Sequence, residues 1–242
     1  MKLPTLHGYI DRRILVNFTV DPEIIRKIIP QPFYPQVYNG KSIVGICLIR
    51  LKQIKPKGLP DFIGISSENA AHRVAVAWKE NEIVKQGVYI PRRDTSSLLN
   101  SLAGGRIFPG KHYLAKFNVQ EGNGNYHIDY ISSDNASISI DAKVTSEFDS
   151  NSIFDNIENV SEFFKNGASG YSPVKNKFEG LQLKTYTWQM QPLEVLNVHS
   201  SFFEDELIFP RGSIKFDSAL LMKGIEHEWN ILEDKEPLLE TI

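Results

Sequence analysis

The feature that most constrains this chain is the alternation of apolar and polar residues along runs rich in β-branched and aromatic side chains. Successive side chains of a strand point to opposite faces, so a period of two calls for a sheet with one face on a core. The segment His72-Arg73-Val74-Ala75-Val76-Ala77-Trp78 follows this pattern, as do residues 137–144 and 181–188. Residues 13–20 and 42–51 are further β-branched and aromatic runs, and residues 195–199 resume the pattern after Pro192. Residues 113–119 and 126–131 flank Glu121-Gly122-Asn123-Gly124-Asn125, whose residues tolerate positive φ, which predicts a hairpin.

Helical signals are few. Asp21 is placed to cap a helix over 22–29, with Pro22 at its first position and Pro30 ending it. Residues 95–103 carry Leu98, Leu99 and Leu102 and stop at Gly104-Gly105; residues 158–166 carry Val160, Phe163 and Phe164 and stop at Gly167. Few helices among many strands mean a mainly β or α+β fold with antiparallel pairing, not a doubly wound α/β fold. Residues 166–180 are polar and contain glycine, and read as a long loop. The strand pattern resumes beyond them without a change of composition, so residues 1–242 are expected to form a single domain.

Charge narrows the function. Twenty-seven basic against twenty-nine acidic residues give a net charge of -2, and the cations are scattered among acids. A nucleic-acid partner is not expected, because such affinity rests on a basic stripe that neutralises phosphates. No apolar run approaches the length of a membrane span and residues 1–7 lack the apolar stretch of a signal peptide, so a cytoplasmic location is expected. Cys47 is the only cysteine and sits in an apolar run, which predicts a buried, inert thiol. The six histidines form no close pair, so neither a metal site nor a metal cofactor is expected. Gly122 and Gly124 lie in a hairpin rather than between a strand and a helix, and no Gly-x-Ser-x-Gly elbow exists, which excludes a dinucleotide fingerprint and a serine-hydrolase nucleophile. The oligomeric state stays open, a homo-oligomer included.

One segment stands apart: Gly104-Gly105-Arg106-Ile107-Phe108-Pro109-Gly110-Lys111-His112-Tyr113 holds three basic side chains and no acid. Clustered cations and burial both lower the proton affinity of an amine, so a lysine here has the setting of a nucleophile. Local composition equally describes a Gly-Pro turn whose basic residues face water.

This stretch resembles the segment of acetoacetate decarboxylase that reads Gly-Arg-Glu, then an aromatic residue, then Pro-Lys-Lys, and ends in its Schiff-base lysine and a neighbouring lysine. The wider chain is similar to a branch of that superfamily made of uncharacterised conserved bacterial proteins. The features occur in order: an Asp-Pro-Glu helix through Ile29-Pro30, Tyr38-Asn39-Gly40-Lys41, Lys57-Gly58-Leu59-Pro60, residues 68–76, the Pro109 segment, residues 167–173 and Phe216-Asp217-Ser218-Ala219. Together they span roughly residues 12–230. The resemblance implies a closed antiparallel β-barrel or cone with a few flanking helices and a largely apolar cavity near Lys111.

The departures matter as much. Aligned through Pro109, the nucleophile position holds Gly110, Lys111 falls on the neighbouring lysine, and Ile107 replaces the acid. The resemblance places Glu68 facing the cavity; its own sequence also fits a solvated carboxylate. Arg73, if inward, needs an anion, either Glu68 or a ligand carboxylate. Arg92-Arg93-Asp94 reads as a cationic rim, or as a solvated pair with Asp94 capping a helix.

The leading expectation is a protein that binds a small organic acid or ketone without organic cofactor, using Arg73, Arg93, Arg106 and His112, and without efficient Schiff-base decarboxylation. The alternative is a lyase in which Lys111 forms the imine and Glu68 shuttles protons.

Overall fold

The computed structural model describes residues 4–102 and 109–237. Its strands in chain order are β1 (Leu6–Val20), β2 (Tyr34–Pro35), β3 (Val37–Tyr38), β4 (Lys41–Pro56), β5 (Ile65–Glu80) and β6 (Ile83–Thr95). They continue with β7 (His112–Gly122), β8 (Asn125–Ser132), β9 (Ser137–Val144), β10 (Ser169–Val174), β11 (Lys177–Thr185), β12 (Gln191–Ser200) and β13 (Lys215–Ile231). The α-helices are α1 (Pro22–Ile28), α2 (Leu98–Leu102) and α3 (Ile157–Asn166).

The strands pair in the order β11-β10-β6-β7-β8-β9-β12-β13-β1-β4-β5-β2, with β3 on β4. Two further pairings, β11–β13 and β6–β5, bring this order back on itself. One circuit of neighbours runs through β13, β1, β4, β5, β6, β10 and β11. A second leaves β6 through β7, β8, β9 and β12 before returning to β13. Pairing is antiparallel in both except that β6 lies parallel to β7 and to β10. In the chain, β6 and β7 are separated by residues 96–111, enough for the connection a parallel neighbour requires.

Three local expectations meet the structure differently. The helix over 22–29 forms, with the Asp21 side chain accepting from the Glu23 amide at 2.8 Å and Ile25 fully buried. The helix over 95–103 is shortened to α2, because Thr95 is still the last residue of β6. The loop over 166–180 is instead β10 and the start of β11, paired from Ser169↔Gln182 to Val174↔Lys177. Its polar residues read as a loop, but edge-to-edge pairing satisfies their backbone groups whatever the side chains.

The two faces of β1, β4 and β5 serve two cores, as a period of two demands. Ile14, Val16 and Phe18 pack with Val44, Ile46, Ile128, Tyr130 and Leu221. Leu15 packs with Cys47, Ala71 and Leu220, and α3 covers this second group with Val160, Phe163 and Phe164. Asn156 caps α3 by accepting from the Asn159 amide at 2.9 Å. Between α3 and the strands of the first circuit lies the cavity described next.

Candidate functional site

A cavity of about 130 Å³ is enclosed by residues of every strand in the first circuit, together with Phe164 of α3 and Trp188. Much of its wall is aliphatic or aromatic, with Ile49, Ile90, Leu181 and Trp229 as examples. Against this apolar wall stand three guanidinium groups, those of Arg13, Arg73 and Arg93.

Strand register explains their placement. Leu15, Cys47, Ala71 and Arg93 form one row across β1, β4, β5 and β6, and all face the same side. Arg13 lies two residues from Leu15 in one direction, and Arg73 two residues from Ala71 in the other. Even spacing therefore turns all three arginines to the cavity face.

Arg73 is 4% exposed. Its Nη2 donates to Asn17 Oδ1, its guanidinium lies 4.4 Å from the centre of the Phe164 ring, and its Nε has no partner. To reach Asn17 the side chain crosses β4 at Gly45, where an added Cβ would stand 3.3 Å from Nη2 and 2.2 Å from the Val16 carbonyl oxygen. Burial brings the Arg73 pKa down to about 9, the opposing pull coming from Cys47. Arg93 donates from Nε to Ser172 Oγ at 3.1 Å, and burial lowers its pKa to about 10. Arg13 donates from Nε to Cys47 Sγ at 3.3 Å and from Nη1 to Met222 Sδ at 3.8 Å. Cys47 is buried, as its apolar run predicts, and it also lies on the cavity wall.

The remaining polar walls are already satisfied or neutral. Asp94 accepts from Arg92 at 2.7 and 3.0 Å and from the Tyr130 hydroxyl at 2.9 Å. It is fully buried, which pushes its pKa up against the pull of Arg92. It is thus neither a solvated partner nor a helix cap. His112 lines the cavity with Nδ1 3.2 Å from the Gly110 carbonyl, and burial followed by the charge of Arg93 brings its pKa to about 3.

The structure separates the other site residues of the sequence reading. Lys111 is exposed, with Nζ 4.3 Å from the centre of the Tyr113 ring, and it is not on the cavity wall. Gly110, before it, takes φ +89°, and a Cβ there would stand 2.7 Å from that of Ser172. A lysine in that position is excluded without moving β10. Glu68 faces away from the cavity: Arg12 Nη2 donates to its Oε2 at 2.6 Å and Arg50 Nε to its Oε1. The same two arginines bind Glu121, so Glu68 belongs to a network on the other face of β5 rather than to Arg73. Five residues separate Glu68 from Arg73, an odd spacing that puts them on opposite faces. Arg106 lies outside the described residues.

Arg13, Asn17 and Phe164 are the site residues that sequence reasoning missed. The signal was present for Arg13: the adjacent pair Arg12-Arg13 inside a strand sends one guanidinium to each face, so neither face is free of a charge.

Among the described residues no cluster of His, Cys, Asp and Glu is placed to hold a metal ion, and no helix is long and apolar enough to cross a membrane. A family model, DUF2071, described as an uncharacterized conserved protein, matches residues 10–220. No curated protein sequence matches the chain. Solved structures are similar over nearly the whole chain. Acetoacetate decarboxylase from Legionella pneumophila aligns at a TM-score of 0.60 and 14% identity, covering 96% of this chain and 88% of that one. An acetoacetate decarboxylase-like enzyme from Sphingomonas wittichii RW1 gives a TM-score of 0.60 at 10% identity, covering 96% and 94%. The enduracididine biosynthesis enzyme MppR, complexed with pyruvate, gives 0.55 at 8% identity, covering 98% and 91%. At these identities the likeness speaks for a shared fold, that of the acetoacetate decarboxylase-like proteins.

Proposed function

The chain belongs to the DUF2071 family, and on that footing we propose that it binds a small organic acid in its arginine-lined cavity without forming an imine. Arg73 carries this reading. A guanidinium that is 4% exposed, lacks a carboxylate partner and keeps Nε unpaired leaves a buried charge uncompensated. Such a charge is costly until an anion meets it, and a ligand carboxylate is the anion that fits an apolar cavity. The two circuits of paired strands support reading the sheet as a closed barrel around that ligand. Pyruvate, the molecule in the MppR complex, is a small acid of the size the cavity admits.

Imine chemistry needs an amine within reach of the bound carbonyl. No lysine lines the cavity among the described residues, Gly110 occupies the nucleophile position, and Lys111 rests on Tyr113. With both oxygens engaged by arginines, Glu68 is a poor proton shuttle.

Calorimetric titration with acetoacetate and butyrate tests the proposal. Both acids are expected to bind, and Arg73→Met to weaken them by roughly 30-fold or more, the loss expected when one partner of a buried charge pair is removed. Circular dichroism checks that the variant is folded, and Arg93→Met serves as a second probe. Unchanged affinity in both folded variants would overturn the proposal.

A further inference from the structure

The arginines of this chain divide cleanly. Of the eight among the described residues, Arg12, Arg26, Arg50, Arg92 and Arg211 each have a carboxylate within 4.0 Å. The three that have none, Arg13, Arg73 and Arg93, are the three on the cavity wall. Their partners are neutral: two sulfurs for Arg13, an amide oxygen and a ring for Arg73, a hydroxyl for Arg93. Asp94, the carboxylate on the wall among the described residues, is already matched by Arg92. The cavity therefore holds three positive charges that the protein leaves uncompensated, more than one carboxylate neutralises.

Their arrangement adds shape to this charge. Arg13 lies in the row of Ile49 and Arg73 in the row of Gly45. The side chains lean in from those rows: Arg13 reaches Cys47 Sγ in the row between them, while Arg73 reaches Asn17 and the Phe164 ring. Around them the wall is largely apolar, with Ile49, Ile90, Leu181 and Trp229 as examples. A phosphate would gather its charge at a single centre. Two carboxylates joined by methylenes offer two charges to the arginines and carbon to the apolar wall, which a phosphate does not.

We infer that the occupant of this cavity is a short-chain dicarboxylate whose two charges are met by Arg13, Arg73 and Arg93. This rests on the small-acid reading above and narrows it from one charge to two. Guanidinium forks bind carboxylates in bidentate fashion, so each end gains direction as well as charge.

Glutarate and valerate have the same number of carbons and differ by one carboxylate, so they separate the two readings. Titrated calorimetrically at pH 7.5 and low ionic strength, glutarate is expected to bind at least tenfold more tightly than valerate. In Arg13→Met that preference is expected to fall to less than threefold; Arg13→Gln replaces this variant if it does not fold. Equal affinity of the parent protein for the two acids would overturn the dicarboxylate and leave the small-acid reading standing. Binding of neither would overturn both. Inorganic phosphate binding more tightly than glutarate would place the charges on one centre and also overturn the inference.

Discussion

At Gly45 the strand gives up its side chain so that the Arg73 guanidinium can cross to Asn17. An alanine there would drive its Cβ against the Val16 carbonyl, which is backbone and cannot rotate away. Gly45→Ala is expected to cost about 1–3 kcal/mol in urea unfolding, as overpacking does, and to weaken carboxylate binding by displacing Arg73. A variant as stable as the parent would mean that β1 and β4 do not approach this closely at Gly45; unchanged carboxylate affinity would mean that the arginine does not lie across β4. Much of this site was legible at the scale of single residues. Arg73 inside an apolar strand already demanded an anion. The same parity argument could have dismissed Glu68 as its partner, five residues away, and exposed Arg13 beside Arg12. What no pattern reveals is Asn17 and Phe164, because they reach Arg73 from other elements and only the folded register brings them there.

The element that closes the cavity is α3. Its apolar residues Val160, Phe163 and Phe164 cover the strands, and Asn156 holds its first turn. This helix was readable in part: the Val-Phe-Phe spacing marked its buried face and Gly167 its end. Nothing in its sequence marked it as the wall of a site. Two substitutions separate its roles. Asn156→Ala removes only the cap and is expected to cost about 1 kcal/mol, with ligand affinity preserved. Phe164→Ala removes packing and the ring beneath Arg73, and is expected to cost about 3–5 kcal/mol and to weaken carboxylate binding as well. Urea midpoints and calorimetry on both variants check this; equal effects on affinity would deny Phe164 a place at the site. β10 and the first residues of β11, by contrast, were hidden by polar composition, although the alternation from Leu181 marked the rest of β11. Their place in the sheet comes from pairing with β6 and β13, partners distant in sequence.

Across the whole molecule, buried histidines tie stability to pH. Burial depresses the pKa of His72 and His112 to about 3 and of His227 to about 4, with nearby arginine charges adding to the effect. In the unfolded chain each takes up a proton near pH 6.5. Below that pH the unfolded state binds protons that the folded state refuses, so stability present at neutral pH is lost as pH falls from about 6.5 to about 4. Each histidine contributes a slope of up to about 1.4 kcal/mol per pH unit in this window. Urea midpoints measured from pH 7.5 to 4.5 should fall steeply below 6.5, and His72→Gln should flatten the curve; a midpoint constant over that range would contradict the burial of these rings.

The broad class, many strands and few helices, was legible from period-two alternation. The circuits of pairing and the parallel neighbours of β6 were not, because they depend on contacts between distant strands. The central claim is that this cavity holds an acid by arginine charge rather than by an imine. Incubating the protein with acetoacetate and borohydride, then measuring its intact mass and mapping any modified peptide, tests that claim most directly. The account predicts an unmodified protein; a reduced adduct on Lys111, with carbon dioxide release abolished in Lys111→Ala, would contradict it.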